Sequence, residues 1–395
     1  MKTVSQTSSV AFQPRFQSLD VWRGIACLMV TVFHIAGDKR FITDAPAWLN
    51  KLLSFGWLGV PMFFVISGYC ISATCDSTIR QKRNLRSFFY RRFRRIYPPY
   101  WICLLTTSIL AIGGLTGPEI HSPLTLSAWS WLGNITLTET WLSQLRGLNY
   151  WGFVNNPSWT LCYEEQFYLV CGIGLFFSLR DSTRFFTTLG IITGLTLVSS
   201  FLNWSDLISL HGFFFDGYWI QFAAGILVYW GRLHGSAFTQ RRILLGLIIA
   251  TLLMALIRIA IPTILVDDRS RASFLDGTCF SFAFAILLML TSRFDEDISR
   301  AWYLKPLFGC GTICYSLYLT HWPVISILQK YAYAPAPSTG KIYSHDAALS
   351  LAVSLVVGAL FYWLVERRFL NKTAVASCPN SQTSLQCEVS ERYQR

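Results

Sequence analysis

Ser18-Leu19-Asp20-Val21-Trp22-Arg23-Gly24-Ile25-Ala26-Cys27-Leu28-Met29-Val30-Thr31-Val32-Phe33-His34-Ile35-Ala36-Gly37 is a mostly apolar run long enough to cross a bilayer, yet it carries Asp20, Arg23 and His34. At about 100° and 1.5 Å per residue, Arg23 and His34 share one helical face and differ in depth by about 16 Å. Asp20, one turn before Arg23, sits near the same stripe. Ionisable groups in hydrocarbon are expensive and normally face a bundle interior or a wet cavity. The plainer alternative has Arg23 snorkelling to one membrane surface and His34 resting near the other.

The rest of the chain extends this pattern. Of its 395 residues 53% are hydrophobic and only 14% charged, against about 25% charged in soluble domains. Apolar runs of about 20 residues recur, which defines an all-α polytopic membrane protein. Ten spans are expected, at about 19–38, 55–75, 96–114, 158–179, 185–203, 213–231, 243–262, 272–291, 307–328 and 346–365. Ten spans put both termini on one side. With the termini inside, the inner segments hold 23 of the 33 Lys and Arg and the outer ones eight, so the termini are expected to be cytoplasmic. The expected organisation is a cytoplasmic leader at 1–17, a transmembrane domain at 18–371 and a polar cytoplasmic tail at 372–395.

The net charge of +12 flanks spans, where anionic lipid accounts for it, so membrane lipid rather than nucleic acid is the expected partner. Eleven scattered cysteines form no CxxC pair and no Cys/His array of zinc spacing, so no metal is expected. No cleaved signal peptide is expected at the first segment.

Three constellations carry chemistry. Arg91, Arg92, Arg94 and Arg95 stand directly before Ile96-Tyr97-Pro98-Pro99-Tyr100. Such a cluster can anchor a span to anionic lipid, or its guanidinium forks can clamp phosphates. The prolines are expected to break or restart the helix there, which favours a ligand. In the second, Trp159-Thr160-Leu161-Cys162-Tyr163-Glu164-Glu165-Gln166-Phe167-Tyr168, Glu164 should lie at the depth of His34, where the two could form an acid–base pair. The macrodipole alone explains one acid near a helix start, and a second less well.

The third constellation, Tyr315-Ser316-Leu317-Tyr318-Leu319-Thr320-His321-Trp322-Pro323, sets His321 one turn after Tyr318 and before a proline kink. It reads first as a hydrogen-bonded structural histidine. Ser67-Gly68-Tyr69 reads first as helix packing. GxSxG, Walker, HExxH and GxGxxG motifs are absent, which weakens hydrolase, nucleotide-motor, zinc-protease and Rossmann readings.

In this order the blocks resemble the acyltransferase-3 family of integral membrane O-acyltransferases: Leu19-Asp20 with Arg23-Gly24 and His34; Gly59, Phe63-Phe64 and Ser67-Gly68-Tyr69; Phe89, Arg91-Arg92, Arg95-Ile96, Pro98 and Tyr100; Trp159-Thr160-Leu161, Glu164 and Gln166-Phe167-Tyr168; and Tyr315-Ser316-Leu317-Tyr318-Leu319, His321-Trp322-Pro323. The likeness covers about 15–371. It departs at Glu366-Arg367-Arg368, where arginine stands in place of a usual proline. No esterase-like domain follows the membrane part in this sequence, so acceptor transfer is expected to fall to the membrane domain.

The resemblance implies transfer of an acyl group, most commonly acetyl, to a hydroxyl of a glycan, lipid-linked sugar or small molecule, in a bacterial inner membrane. The donor would be cytoplasmic acyl-CoA, with acetyl-CoA expected as co-substrate. His34, Glu164 and Arg23 would be catalytic, and Arg91, Arg92, Arg94 and Arg95 would bind the donor. Asp20, Ser67, Gly68, Tyr69, Pro98, Tyr100, Trp159, Tyr168, Tyr318 and His321 would support them. The alternative is a transporter or flippase of glycan or lipid whose intramembrane charges line the pathway.

Overall fold

A computed structural model describes residues 16–37, 41–148, 150–178, 181–260, 269–332 and 341–370. The expected leader, apart from Phe16 and Gln17, and the expected tail lie outside the described residues. The fold is helical. Fifteen α-helices occur among the described residues: α1 Leu19–Ala36, α2 Ala47–Ser54, α3 Gly59–Arg80, α4 Leu85–Ile112, α5 Ala128–Thr136, α6 Glu139–Leu145, α7 Trp159–Phe177, α8 Ser182–Trp204, α9 Tyr218–His234, α10 Ala237–Ala260, α11 Arg269–Thr291, α12 Asp295–Arg300, α13 Lys305–Thr312, α14 Cys314–Tyr331 and α15 Ser344–Leu364. The described strands are two residues each, Phe41–Ile42 and Lys341–Ile342, paired in parallel.

A helix stands at each place where the sequence suggests a span. Among the described residues six helical segments are long and apolar enough to cross a membrane: Leu19–Ala36, Ala47–Arg80, Ser182–Trp204, Ala237–Ala260, Ser273–Arg300 and Ser344–Arg368. This makes the chain a multi-pass membrane protein of all-α class. α4, α7 and the α13–α14 segment carry the arginines, glutamates and tyrosines described below and are not among the six, and α9 is shorter, at 17 residues.

Two expectations about helix ends are corrected. α4 does not break at Pro98-Pro99; it runs through both prolines and begins at Leu85, taking in the whole arginine run. A proline inside a helix removes one hydrogen bond and crowds the preceding turn. Here tertiary bonds hold that turn. Tyr315 donates to the Ile96 carbonyl at 2.8 Å, Tyr97 and Tyr100 donate to the carbonyls of Thr136 and Asn134, and the Trp101 indole donates to that of Ile135.

The ninth expected span, by contrast, is divided. α13 ends at Thr312 and α14 begins at Cys314, after a stretch weakened by Gly309 and Gly311. The new N-terminus is capped from a distance: the buried Glu366 carboxylate accepts from the Ser316 amide at 3.1 Å and its hydroxyl at 2.5 Å.

The long segment after α4 is expected as a loop. Instead, α5 folds back against the Tyr97–Trp101 turn of α4, well short of its end at Ile112, and α6 follows it. Buried Asn134 donates to the Ser130 and Gly152 carbonyls and accepts from the Val154 amide, which locks the hairpin.

Glycine sets how closely the helices cross. A Cβ at Gly68 would lie 2.0 Å from the Phe222 carbonyl oxygen, and one at Gly225 only 1.9 Å from that of Val65. α3 and α9 therefore touch backbone to backbone. The same holds for α1 and α13: a Cβ at Gly24 would stand 2.1 Å from the Leu307 oxygen, and one at Gly311 1.9 Å from that of Asp20. Gly246 on α10 has nothing within 4 Å of such a Cβ. Gly225→Val should therefore lower stability by ~1–3 kcal/mol or more through overpacking, whereas Gly246→Ala should be neutral or slightly stabilising. Thermal challenge followed by fluorescence-detected gel filtration reads both, and equal behaviour of the two variants contradicts the close crossing.

Candidate active site

Five helices each contribute one face to a cavity of about 200 Å³. From α1 comes Arg23; from α3, Ser67, Cys70 and Thr74; from α4, Arg92 and Arg95; from α7, Thr160, Glu164 and Tyr168; from α14, Cys314, Tyr315 and Tyr318. The spacings are helical. Ser67, Cys70 and Thr74 recur at i, i+3 and i+7, as do Thr160, Glu164 and Tyr168 at i, i+4 and i+8. Arg92 and Arg95 share a face one turn apart.

The charged groups hold one another. Arg23 Nη1 pairs with Asp20 at 2.6 Å, and its Nη2 lies 2.9 Å from Cys70 Sγ. Glu164 Oε1 accepts from the Ser67 hydroxyl at 2.9 Å and from the Tyr168 hydroxyl. Arg92 donates to Thr74 Oγ1 at 2.8 Å, and its guanidinium lies 4.9 Å from the centre of the Tyr168 ring. Arg95 reaches the cavity without a hydrogen bond or ion pair among the described residues, so its donors remain available. Tyr318 closes one wall, its hydroxyl shared between Thr160 and the Pro157 carbonyl.

His34 lies off this cavity. Its ring is 5.3 Å from that of His321 and 4.9 Å from that of Trp322, centre to centre. His321 is fully buried and stands 5.7 Å from the Tyr318 ring. Its Nδ1 donates to the Leu317 carbonyl at 3.2 Å, which makes Nε2 the acceptor of the neutral ring; that buried atom has no hydrogen-bond partner among the described residues. Tyr318, His321 and His34 thus form a line of rings leading out of the cavity. The expected direct pairing of His34 with Glu164 does not appear as a contact: Glu164 is held by Ser67 and Tyr168, and the aromatic line lies at His34's side.

The remaining expected residues divide by helical face. Ser67 faces the cavity, Gly68 meets α9, and Tyr69 turns away to accept from Arg232 at 2.7 Å and pack on Phe16. Arg94 donates to the Arg368 carbonyl at 3.2 Å, while Arg91 is absent from the cavity wall. Trp159 stacks on Trp151 with ring centres 5.9 Å apart. Tyr100 and Pro98 belong to the turn that α5 braces. Cys70, Thr74, Thr160 and Tyr315 are additions; stepping by helical turns from Ser67 and Glu164 finds the first three. Among the described residues no group of three His, Cys, Asp or Glu side chains could hold a metal ion.

A helical membrane fold surrounding a cavity of arginines, tyrosines and one carboxylate is the setting in which the sequence comparisons fall. Residues 16–365 match the family described as an acyltransferase domain, and the chain belongs to that family. It is 24% identical over 366 residues to the peptidoglycan O-acetyltransferase OatA of Listeria monocytogenes, covering 88% of this chain and 55% of that protein. It is 27% identical over 347 residues to the O-acetyltransferase OatA of Staphylococcus aureus, with 81% and 52% covered. The putative peptidoglycan O-acetyltransferase YrhL of Bacillus subtilis is 23% identical over 368 residues, with 88% and 54% covered. The chain spans about half the length of these curated relatives. No solved structure matches it.

Glu366 bridges the last helix to the N-terminus of α14 and so fixes the Tyr315 and Tyr318 wall. Glu366→Ala should leave the buried Ser316 groups unpaired and reduce stability by ~1–3 kcal/mol, with Glu366→Gln intermediate. Differential scanning fluorimetry of the purified protein checks the order, and an unshifted Ala variant refutes the cap.

Proposed function

We propose that the protein is an acyl-CoA-dependent O-acyltransferase that passes an acyl group, acetyl by family likeness, to a hydroxyl of a glycan. The single observation carrying this is the cavity that gathers Arg23, Arg92, Arg95 and Glu164, with the His321–His34 pair just beyond its Tyr318 wall. The peptidoglycan O-acetyltransferases among its relatives supply the acceptor class. In this reading the chain crosses a bacterial inner membrane ten times, with both termini and the arginine end in the cytoplasm.

The residues present fit the donor in charge and in size. A cavity of about 200 Å³ is below the ~300–1,000 Å³ typical of drug-sized ligands. It suits the narrow pantetheine arm, with the phosphates at the arginine end and the thioester reaching out toward His34. Arg92 and Arg95, one turn apart, offer forked donors to phosphate oxygens, and Arg91 and Arg94 add charge on adjoining faces. Arg23, about three helical turns before His34 on α1, stands beside the path of the pantetheine arm, and the thioester lies farther on, near His34.

The acyl tip reaches past Tyr318 toward the histidines. There His34 takes the proton of the acceptor hydroxyl as its oxygen attacks the thioester carbon. The C–S bond breaks, an ester forms, and the proton returns to the coenzyme A sulfur. Glu164, fixed by Ser67 and Tyr168, balances the arginines, and His321 orients the His34 ring. Membrane lipid surrounds the bundle.

Purified protein given acetyl-CoA and a glycan acceptor should release coenzyme A thiol, read with a thiol-reactive dye. His34→Ala should lower that rate by ~10²–10⁴ while the protein stays folded. Near-normal turnover by this variant removes His34 from the chemistry, and no thiol release by wild type favours a transporter. Arg95→Ala should raise the KM for acetyl-CoA about tenfold with kcat nearly unchanged, as expected for loss of one charge-assisted contact; an unchanged KM takes Arg95 out of donor binding.

A further inference from the structure

A second cavity, of about 450 Å³, opens between the ends of α8 and α9. The polypeptide around it is tied to α6 and α7: Thr140 and Gln166 both donate to the Gly212 carbonyl, at 3.0 and 2.7 Å. It therefore belongs to the α5–α6 side of the bundle and stands apart from the Arg91–Arg95 run. Nothing in the reading above uses it.

Its walls are of mixed character. Trp204, Tyr218 and Phe274 present flat apolar rings, while Asn203, Asp206 and His211 present hydrogen-bonding groups. Rings stacked against C–H faces and amide or carboxylate groups bridging paired hydroxyls are what a pyranose requires, since each sugar ring has both surfaces. Among the described residues the lining contains no lysine or arginine, and Asp216 contributes a carboxylate, so phosphate and acidic sugars are disfavoured. The donor cavity has the opposite composition.

The shape is fixed before any ligand arrives. Asp216 accepts from the Tyr163 hydroxyl and from the Gly212 and Tyr218 amides, at 3.1 and 3.3 Å for the amides. Gly212 (φ +84°) sits against the Thr140 carbonyl and Gly217 (φ +130°) against the Phe274 ring, in conformations that side chains rarely adopt. Within this frame two donors point to a missing partner. Trp204 Nε1 is buried without a hydrogen bond among the described residues. Asn203 accepts from the Leu210 amide through Oδ1 at 2.8 Å, and its Nδ2 has no partner among the described residues. A buried donor such as the Trp204 indole is nearly always paired in native proteins, and the half-buried Asn203 amide adds a second donor in the same lining.

We propose that this cavity is a binding subsite for an uncharged sugar ring of the acceptor glycan. The inference rests on the acyltransferase reading only in naming the molecule to which the ring belongs. Tyr218 packs on Phe64 with ring centres 5.8 Å apart, and Phe64 lines the donor cavity. The subsite is thus one aromatic layer away from the donor cavity and holds a ring other than the one acylated. Binding there helps ground state and transition state alike, so it governs acceptor KM rather than kcat.

The test uses the full chain in detergent with acetyl-CoA and two probes, neutral tri-N-acetylchitotriose and acidic trigalacturonic acid. Trp204→Ala and Asn203→Ala should each raise the KM for chitotriose about tenfold, with kcat within twofold and the KM for acetyl-CoA unchanged. Trigalacturonic acid should be the poorer acceptor by about tenfold or more. Unchanged chitotriose KM in both variants, or equal use of the two probes, overturns the subsite while leaving acyl transfer intact. Equilibrium dialysis of labelled chitotriose separates the two claims. Binding that is lost in the variants, with no transfer by wild type, supports the subsite and sinks the acyltransferase; no binding by wild type sinks the subsite alone. If Trp204→Ala fails to elute as a folded protein, Asn203→Ala decides.

Discussion

Backbone-to-backbone contact at four glycines is the constraint on which the rest depends. Gly24 and Gly311 let α1 and α13 meet, and Gly68 and Gly225 do the same for α3 and α9. Two helices cannot approach this closely with a Cβ between them, so side chains on their other faces are brought within reach of third and fourth helices. Arg23, next to Gly24, reaches Cys70, and Ser67, next to Gly68, reaches Glu164. A charged residue within a membrane helix must find its partners among neighbouring helices. Tight crossing makes those partners available.

The same economy explains which helices are least apolar. α8 and α10 carry few buried residues and turn most of their surface outward. α4, α7, α9 and α14 are richer in polar side chains and contribute many of the buried hydrogen bonds. Asp76 shows the pattern outside the candidate site: it is buried and accepts from Ser182, Tyr229, His234 and Arg80, joining α3, α8 and α9 through one carboxylate. A buried carboxylate with four donors is satisfied, and the helices around it are fixed by it.

Much of this was legible in the sequence because helical periodicity is a strong signal. The positions of the helices follow from apolar runs, and Ser67, Arg92, Arg95, Glu164 and Tyr168 fall on cavity faces that spacing alone can suggest. What spacing does not contain is the partner. Pro98 and Pro99 read as a break because local rules penalise proline inside a helix, and only the distant partners of this turn, Tyr315 and the carbonyls of Asn134, Ile135 and Thr136, explain why α4 continues. The interruption before Cys314 is equally nonlocal, since its cap is Glu366, fifty positions away from Ser316. Matched depth alone would pair His34 with Glu164, but depth is one coordinate of three. The rotation of α1 about its axis turns His34 toward Trp322 and His321 instead, and those rings come from a helix whose register no local pattern sets.

Pro323 lies inside α14 and cannot donate to the Leu319 carbonyl. That oxygen is taken by Asn155 at 3.0 Å and by the Cys103 thiol at 3.2 Å. Beyond the proline, Ser326 accepts from the Gly117 amide at 2.8 Å, and Lys330 donates to the carbonyls of Gly114 and Thr116. The two halves of α14 are therefore stapled to different bodies, the first to mid-α4 and the Asn155 segment, the second to the turn after Ile112. The proline thus leaves an open carbonyl that fastens α14 to α4 and to the Asn155 segment within one turn of His321 and Trp322.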